Sequence, residues 1–198
     1  MSHYFDPAPT AASRRRQVDL VLPDLQLSLT VDRGVFSGGG VDPGTLELLR
    51  AVRPGVDPAA DLLDLGCGYG PIALTVASRH PRSTVWAVDV NSRALELTAQ
   101  NAAALGLTNV RAVTPDQVPD GTVFEQLWSN PPIRIGKAAL HEMLQSWLPR
   151  VSPEGTAWLV VQKNLGSDSL AGWLSASGYD VARLGSRKGY RILQVKHG

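Results

Sequence analysis

Residues 62–71, Leu62-Leu63-Asp64-Leu65-Gly66-Cys67-Gly68-Tyr69-Gly70-Pro71, run from a short apolar stretch through alternating glycines to a proline. The apolar stretch has the length of a buried strand, and Pro71 suits the first turn of a helix, where a missing N–H costs nothing. Ile72-Ala73-Leu74 and Val76-Ala77 continue as that helix, and Thr84 to Val90 supply a second buried strand. The segment therefore reads as a strand–helix–strand unit. Glycines at its first bend let the backbone approach a ligand, and Asp64 can accept from an ammonium or a hydroxyl. A dinucleotide fingerprint would place glycine or alanine where this chain has Pro71.

The same alternation continues toward the C-terminus. A helix starts at Asn91, a plausible cap, carries Ala94, Leu97, Asn101 and Leu105 on one side, and ends at Gly106. Strands follow at 110–113 and 123–128, then a helix over 137–148 with Leu140, Met143, Leu144, Trp147 and Leu148 as its core stripe. A strand at 156–161, a helix at 167–176 and two strands at 179–184 and 190–196 complete the pattern. Strands alternating with helices build a mostly parallel sheet covered on both faces, and the short turn between the final pair makes the last strand antiparallel. Upstream, residues 17–22 and 25–31 alternate around Pro23-Asp24 as a hairpin, followed by a glycine-rich stretch and a short helix from Thr45 to Arg50. The expected organisation is one domain over 1–198, with an N-terminal extension at 1–50 and an α/β core at 60–198.

Composition narrows the class. The chain has 198 residues, 43% apolar and 19% charged, with a net charge of +1, which suits a globular fold and demands no polyanion globally. Its one cysteine, Cys67, excludes a disulfide framework and suits a reducing cytosol. No run approaches the roughly 18 apolar residues of a membrane span, so the expectation is a soluble cytoplasmic protein. His3, His80, His141 and His197 lack metal-ligand spacing, and no metal is expected.

In parallel sheets ligands sit beyond the carboxyl ends of the strands. Asp89, at the end of the second strand, is placed there to take the hydroxyls of a ribose. Asn130-Pro131-Pro132 follows the fourth strand, where each proline removes a donor and stiffens the turn. What remains is rich in acceptors, and a planar NH2 can donate into it. Arg134, Lys137, Lys163, Arg187 and Lys188 fall in loops on this same edge, and residues 181–198 contain five cations and no acid. That is the footprint of phosphate contacts.

Asp64 to Gly70, Asp89, Asp116 after the third strand and Asn130-Pro131-Pro132 after the fourth resemble the class I S-adenosylmethionine-dependent methyltransferases. Gly34-Val35-Phe36-Ser37, Ser129 to Ile133 and Gln162-Lys163-Asn164 narrow the resemblance to the small-domain 16S ribosomal RNA guanine-N2 methyltransferases. The resemblance implies a doubly wound, Rossmann-like sheet of seven strands, with the hairpin as an N-terminal addition. It implies that Asp64 and the backbone of Gly66, Cys67, Gly68, Tyr69 and Gly70 hold the methionine part of S-adenosylmethionine and that Asp89 holds its ribose. Val90 and Asn91 then flank the adenosine, Asp116 accepts from the adenine amino group with Gln117 beside it, and Phe36 and Ser37 line the other side. Asn130, Pro131, Pro132 and Ile133 form the catalytic turn. The implied partner is ribosomal RNA or the small ribosomal subunit. Protein glutamine and DNA adenine remain as alternative substrates for the same triplet, and a non-catalytic RNA- or cofactor-binding module or a nicotinamide oxidoreductase as other classes. The chain departs from many amino-methylating relatives in carrying Ile133 where they have a base-stacking aromatic. Phe36, Trp128 and Tyr190 are the other aromatics to consider, although Trp128 lies within a strand and reads as core.

Overall fold

Along each central strand, consecutive side chains enter opposite layers. The computed structural model describes residues 14–32 and 40–198, apart from the side chains of Arg134 and Ser186. Two antiparallel strands, β1 (Arg16–Val21) and β2 (Gln26–Val31), form the hairpin, and α1 (Pro43–Ala51) follows. The main body then runs β3 (Asp61–Leu65), α2 (Pro71–Arg79), β4 (Thr84–Val88), α3 (Ser92–Ala104), β5 (Val110–Val113), β6 (Phe124–Ser129) and α4 (Lys137–Trp147). It closes with β7 (Val151–Gln162), α5 (Ser167–Ala176), β8 (Tyr179–Arg187) and β9 (Tyr190–His197).

The seven-stranded sheet has the order β5-β4-β3-β6-β7-β9-β8. All neighbours are parallel except β9, which runs antiparallel to both β7 and β8. The expected α/β class, doubly wound sheet, antiparallel last strand and N-terminal hairpin are all present. Leu62, Val85, Trp128 and Trp158 face one layer with α1, α2, α3 and the hairpin, while Leu63, Trp86, Leu127 and Leu159 face the other with α4 and α5. This strand parity is why the strands read as unbroken apolar runs. Trp128, only 2% exposed, packs against Trp158 and is core.

Several boundaries differ from the sequence reading, among them β8, which runs on to Arg187, and two have a visible cause. Strand β7 begins at Val151 because a register shift opposite Phe124 and Gln126 accommodates Ser152 to Gly155. Helix α1 begins at Pro43 because Asp42 caps it, its carboxylate accepting from Thr45 N at 3.0 Å. The cap shifts the helix start two residues toward the N-terminus, which becomes important at the site.

Asn101, placed on the apolar side of α3 by its spacing, is 2% exposed and fully committed. Its Nδ2 donates to the carbonyls of Thr30 (2.9 Å) and Tyr69 (3.0 Å), and its Oδ1 accepts from Thr30 N (2.8 Å). One amide thereby ties the hairpin to the glycine-rich bend after β3. Replacing Asn101 with Ala strands those backbone groups in the interior and is expected to destabilise the fold by about 2–3 kcal/mol. A urea midpoint that does not move would show that water replaces the amide.

Candidate cofactor and amino-group site

Four strand ends converge at the carboxyl edge, and hydrogen bonds between their loops hold them in place. The carbonyl of Val88 accepts from both Gly66 N (2.8 Å) and Cys67 N (3.0 Å), so the bend after β3 is pinned to the end of β4. Asp89, 6% exposed, reinforces this: Oδ2 accepts from Gly68 N and Oδ1 from Asn91 N, each at 2.9 Å. Burial raises its pKa, opposed by the N–H groups of Asn91, Gly68 and Val90. The cap of α3 falls to Asn91, whose Oδ1 accepts from Arg93 N and Ala94 N. Asp89 is therefore free of capping duty.

Asp64 is 1% exposed at the end of β3. Its Oδ2 accepts from Ala73 N at 2.9 Å in the first turn of α2, while its Oδ1 has no partner among the described residues. Desolvation pushes its pKa up to about 8, offset in part by the Ala73 N–H and augmented by the charge of Asp89. A buried acceptor in this state is complementary to a cation. The glycines of the bend differ in what surrounds them. Gly70, at φ 92°, caps α2, and a Cβ there would lie 3.0 Å from Leu74 and Thr98 atoms, so packing demands glycine. At Gly66 a Cβ would lie 4.0 Å from Pro132 Cδ, so the bend faces the Asn-Pro-Pro turn at van der Waals range.

That turn is rigid. Ser129 Oγ, fully buried, donates to the Leu65 carbonyl at 2.7 Å and holds the end of β6 against β3. Ile133 N donates to the Pro131 carbonyl at 2.8 Å, and Pro132 takes φ −74°, ψ 78°, an inverse γ-turn. One lone pair of the Pro131 carbonyl is thus used within the turn and one is left. Asn130 Nδ2 donates to Asp42 Oδ1 at 2.8 Å and Thr45 Oγ1 at 3.0 Å. Both amide hydrogens are spent, so the amide cannot flip without facing its oxygen to a carboxylate. Its Oδ1 remains an acceptor with no partner among the described residues.

The candidate residues differ in what their side chains do. The Cys67 thiol is buried and near Thr98 Oγ1, and burial raises its pKa further. The Tyr69 ring is 1% exposed in the core, and burial likewise raises its hydroxyl pKa. Val90 is exposed, and Asp116 and Gln117 lie exposed on a 3-10 turn after β5, with the Gln117 side chain accepting from Thr114 N at 3.0 Å. Phe36 and Ser37 lie outside the described residues, as does the side chain of Arg134.

The basic rim is less naked than its sequence. Arg187, at the end of β8, and Lys188, in the turn that follows, face the buried Glu47 of α1 at 3.8 and 3.6 Å, and Arg183 and Arg191 both pair with Asp168 of α5. Lys137 and Lys163 are exposed and make no ion pair among the described residues. The Tyr190 ring packs on Gly44, where a Cβ would lie 2.7 Å from two ring carbons and 2.9 Å from Asp42 Oδ1. Burial and the Asp42 charge raise the Tyr190 pKa. Among the described residues, no group of three or more His, Cys, Asp or Glu side chains is placed to hold a metal ion, and no helix is long and apolar enough to cross a membrane.

Asp42, Thr45 and Asn101 were not picked out as site-building residues by sequence reasoning. The Asp-Pro-Gly-Thr pattern at 42–45 was the available signal for the first two, as a helix cap. Nothing local announced Asn101.

Comparison with known proteins shows the family. The family model described as the methyltransferase small domain matches residues 26–194. The Bacillus subtilis protein YbxB is 34% identical over 198 residues, covering 98% of each chain. The ribosomal RNA small subunit methyltransferase C of Pseudomonas putida is 34% identical over 135 residues, covering 66% of this chain and 40% of that protein. The structure of the T. thermophilus 16S rRNA N2 G1207 methyltransferase (RsmC), in complex with AdoMet and guanosine, superposes with a TM-score of 0.74 at 22% identity. It covers 96% of this chain and 52% of that one, so the chain spans about half the length of that relative.

S-adenosylmethionine is the cofactor, and the residues present fit it: the unpartnered oxygen of Asp64 would suit its ammonium, the glycine-rich bend its methionine part, and the Asp89 carboxylate its ribose. Asp64 supplies a pH test. Because its folded pKa lies above its unfolded value of 3.8, the free protein binds this proton more tightly and loses that stabilisation as pH rises from about 4 to about 8. Pairing with an ammonium favours the carboxylate, so cofactor binding should release a proton below pH 8 and tighten between pH 6 and 8. Calorimetry in buffers of different ionisation enthalpy measures both effects, and Asp64→Asn should abolish them. A flat profile in the unsubstituted protein would mean that Asp64 meets no cation.

Proposed function

The chain belongs to the methyltransferase small-domain family, and we propose that this S-adenosylmethionine-dependent methyltransferase modifies the exocyclic N2 of a guanine in 16S ribosomal RNA. The observation that carries the reading is the clamped Asn130 amide, with both hydrogens held by Asp42 and Thr45 and its oxygen presented as an acceptor. A guanine amino nitrogen is a poor nucleophile because its lone pair is delocalised into the ring. Asn130 Oδ1 accepting one N–H, and the second lone pair of the Pro131 carbonyl accepting the other, pull the nitrogen toward a tetrahedral geometry. The same two oxygens stabilise positive charge as it develops there.

When bound, S-adenosylmethionine supplies a methyl group already activated on a sulfonium. The protein's part is alignment, with the glycine-rich bend and the Asn-Pro-Pro turn facing one another across Gly66 and Pro132. After transfer the nitrogen is a strong acid, and its proton leaves without a dedicated base. Ile133 offers apolar contact but no stacking, a loss of about 1–3 kcal/mol relative to an aromatic platform. Tyr190, beside Asp42, is the described aromatic best placed to contribute. Lys137 and Lys163 would take phosphates directly, whereas Arg187 and Lys188 must first leave Glu47. The relatives bearing a ribosomal RNA methyltransferase name support this substrate.

The experiment is methyl transfer to small subunits and to naked 16S RNA from cells lacking the protein, with the product nucleoside identified by mass spectrometry. N2-methylguanine is the expected product. Asn130→Ala should lower single-turnover methylation by about a hundredfold or more while cofactor affinity stays within about twofold. Unchanged turnover in that variant, or transfer to adenine or glutamine in its place, overturns the proposal.

A further inference from the structure

The cap of α1 has an unused half. Asp42 Oδ1 is committed, accepting from Thr45 N and Asn130 Nδ2, but Oδ2 of the same carboxyl has no partner among the described residues and the side chain is only half-buried. Asn130 Oδ1 is likewise unpartnered. Because Asn130 donates directly to Asp42, the two free oxygens belong to one hydrogen-bonded unit, braced by Thr45 Oγ1 and walled by the Tyr190 ring across Gly44. We propose that Asp42 is the specificity-determining residue of the site: its Oδ2 and Asn130 Oδ1 form a double acceptor that selects a base presenting two adjacent N–H donors.

The inference rests on the amino-group reading above and deepens it. Among common targets bearing an NH2, the flanking atom decides the match. Guanine carries N1–H next to its 2-amino group, so its edge is donor–donor. Adenine and cytosine have a ring-nitrogen lone pair beside the amino group, and a glutamine side chain has a carbonyl oxygen. Each of these would bring a lone pair against a carboxylate. A site built to accept an N–H discriminates strongly against analogues that lack it, because a desolvated acceptor is then left without a donor. The same carboxylate also positions Asn130, so its two oxygens would couple orientation of the clamp to identity of the base.

The probe is 2-aminopurine, which keeps the 2-amino group of guanine and lacks N1–H. In RNA carrying 2-aminopurine at the methylated position, kcat/KM should fall about a hundredfold relative to guanine. Asp42→Asn and Asp42→Ser both retain a helix-capping oxygen; Asp42→Asn can present an N–H where Oδ2 stood and Asp42→Ser has no second oxygen. In each, the preference should shrink to within about tenfold, chiefly through loss of activity on guanine, with cofactor affinity and melting temperature unchanged. Binding of guanosine against 2-aminopurine riboside to the cofactor-loaded protein gives the same comparison without turnover. Methylation of 2-aminopurine as fast as guanine overturns this inference alone, as does an equal loss on both bases in the variants, which would leave Asp42 a positioning residue only. Methylation of adenine or glutamine by the unsubstituted protein overturns the proposed function together with it.

Discussion

The carboxylate of Asp89 accepts from Gly68 N on one side and Asn91 N on the other, and the carboxyl edge of the sheet is organised about that bridge. It lies among buried groups, where two charge-assisted hydrogen bonds offset much of the cost of desolvating the acid. The bridge fixes the glycine-rich bend after β3 relative to the start of α3. The Val88 carbonyl and the Thr98 hydroxyl, which donates to the Gly68 carbonyl at 3.0 Å, add restraints on the same bend. Three acids, Asp42, Asp64 and Asp89, thus stand at joints of one edge: Asp89 accepts through both oxygens, whereas Asp42 and Asp64 accept through one each from the described residues.

Much of this was legible in the chain. The strand–bend–helix signature at 62–71, the alternation that follows and the short final turn predict the sheet, because each is a local pattern with a local cause. Asp64, Asp89 and Asn130 were likewise visible, since they stand where strands end. What local pattern does not carry is pairing at a distance. Asn101 has the spacing of a core residue, and only the fold reveals that its amide serves Thr30 and Tyr69. Asp42 reads as a helix cap, and its bond to Asn130 crosses 88 positions of sequence. Cys67, Tyr69 and Asn91 stand at the edge where the pattern puts them, and only the fold shows that their side chains belong to packing or capping.

Charge shows the contrast most clearly. Residues 181–198 contain five cations and no acid, yet Glu47 and Asp168, from α1 and α5, face four of them. A run of like charge in sequence is not a field in space. For Arg187 and Lys188 the pairing is with a buried carboxylate by exposed side chains, a contact that a phosphate can outcompete, whereas Arg191 is itself largely shielded.

Strand β9 lies between β7 and β8 and supplies every ladder bond that β8 makes. During vectorial synthesis β8 therefore emerges before its only pairing partner exists, and β7 waits with an open edge. An open edge of the apolar Leu159-Val160-Val161 kind is a template for wrong partners. Helix α5, made in the interval, packs its Leu170, Ala171 and Leu174 into the same apolar layer as these strands. It is positioned to shelter the face of the unfinished sheet until β9 arrives to close the gap.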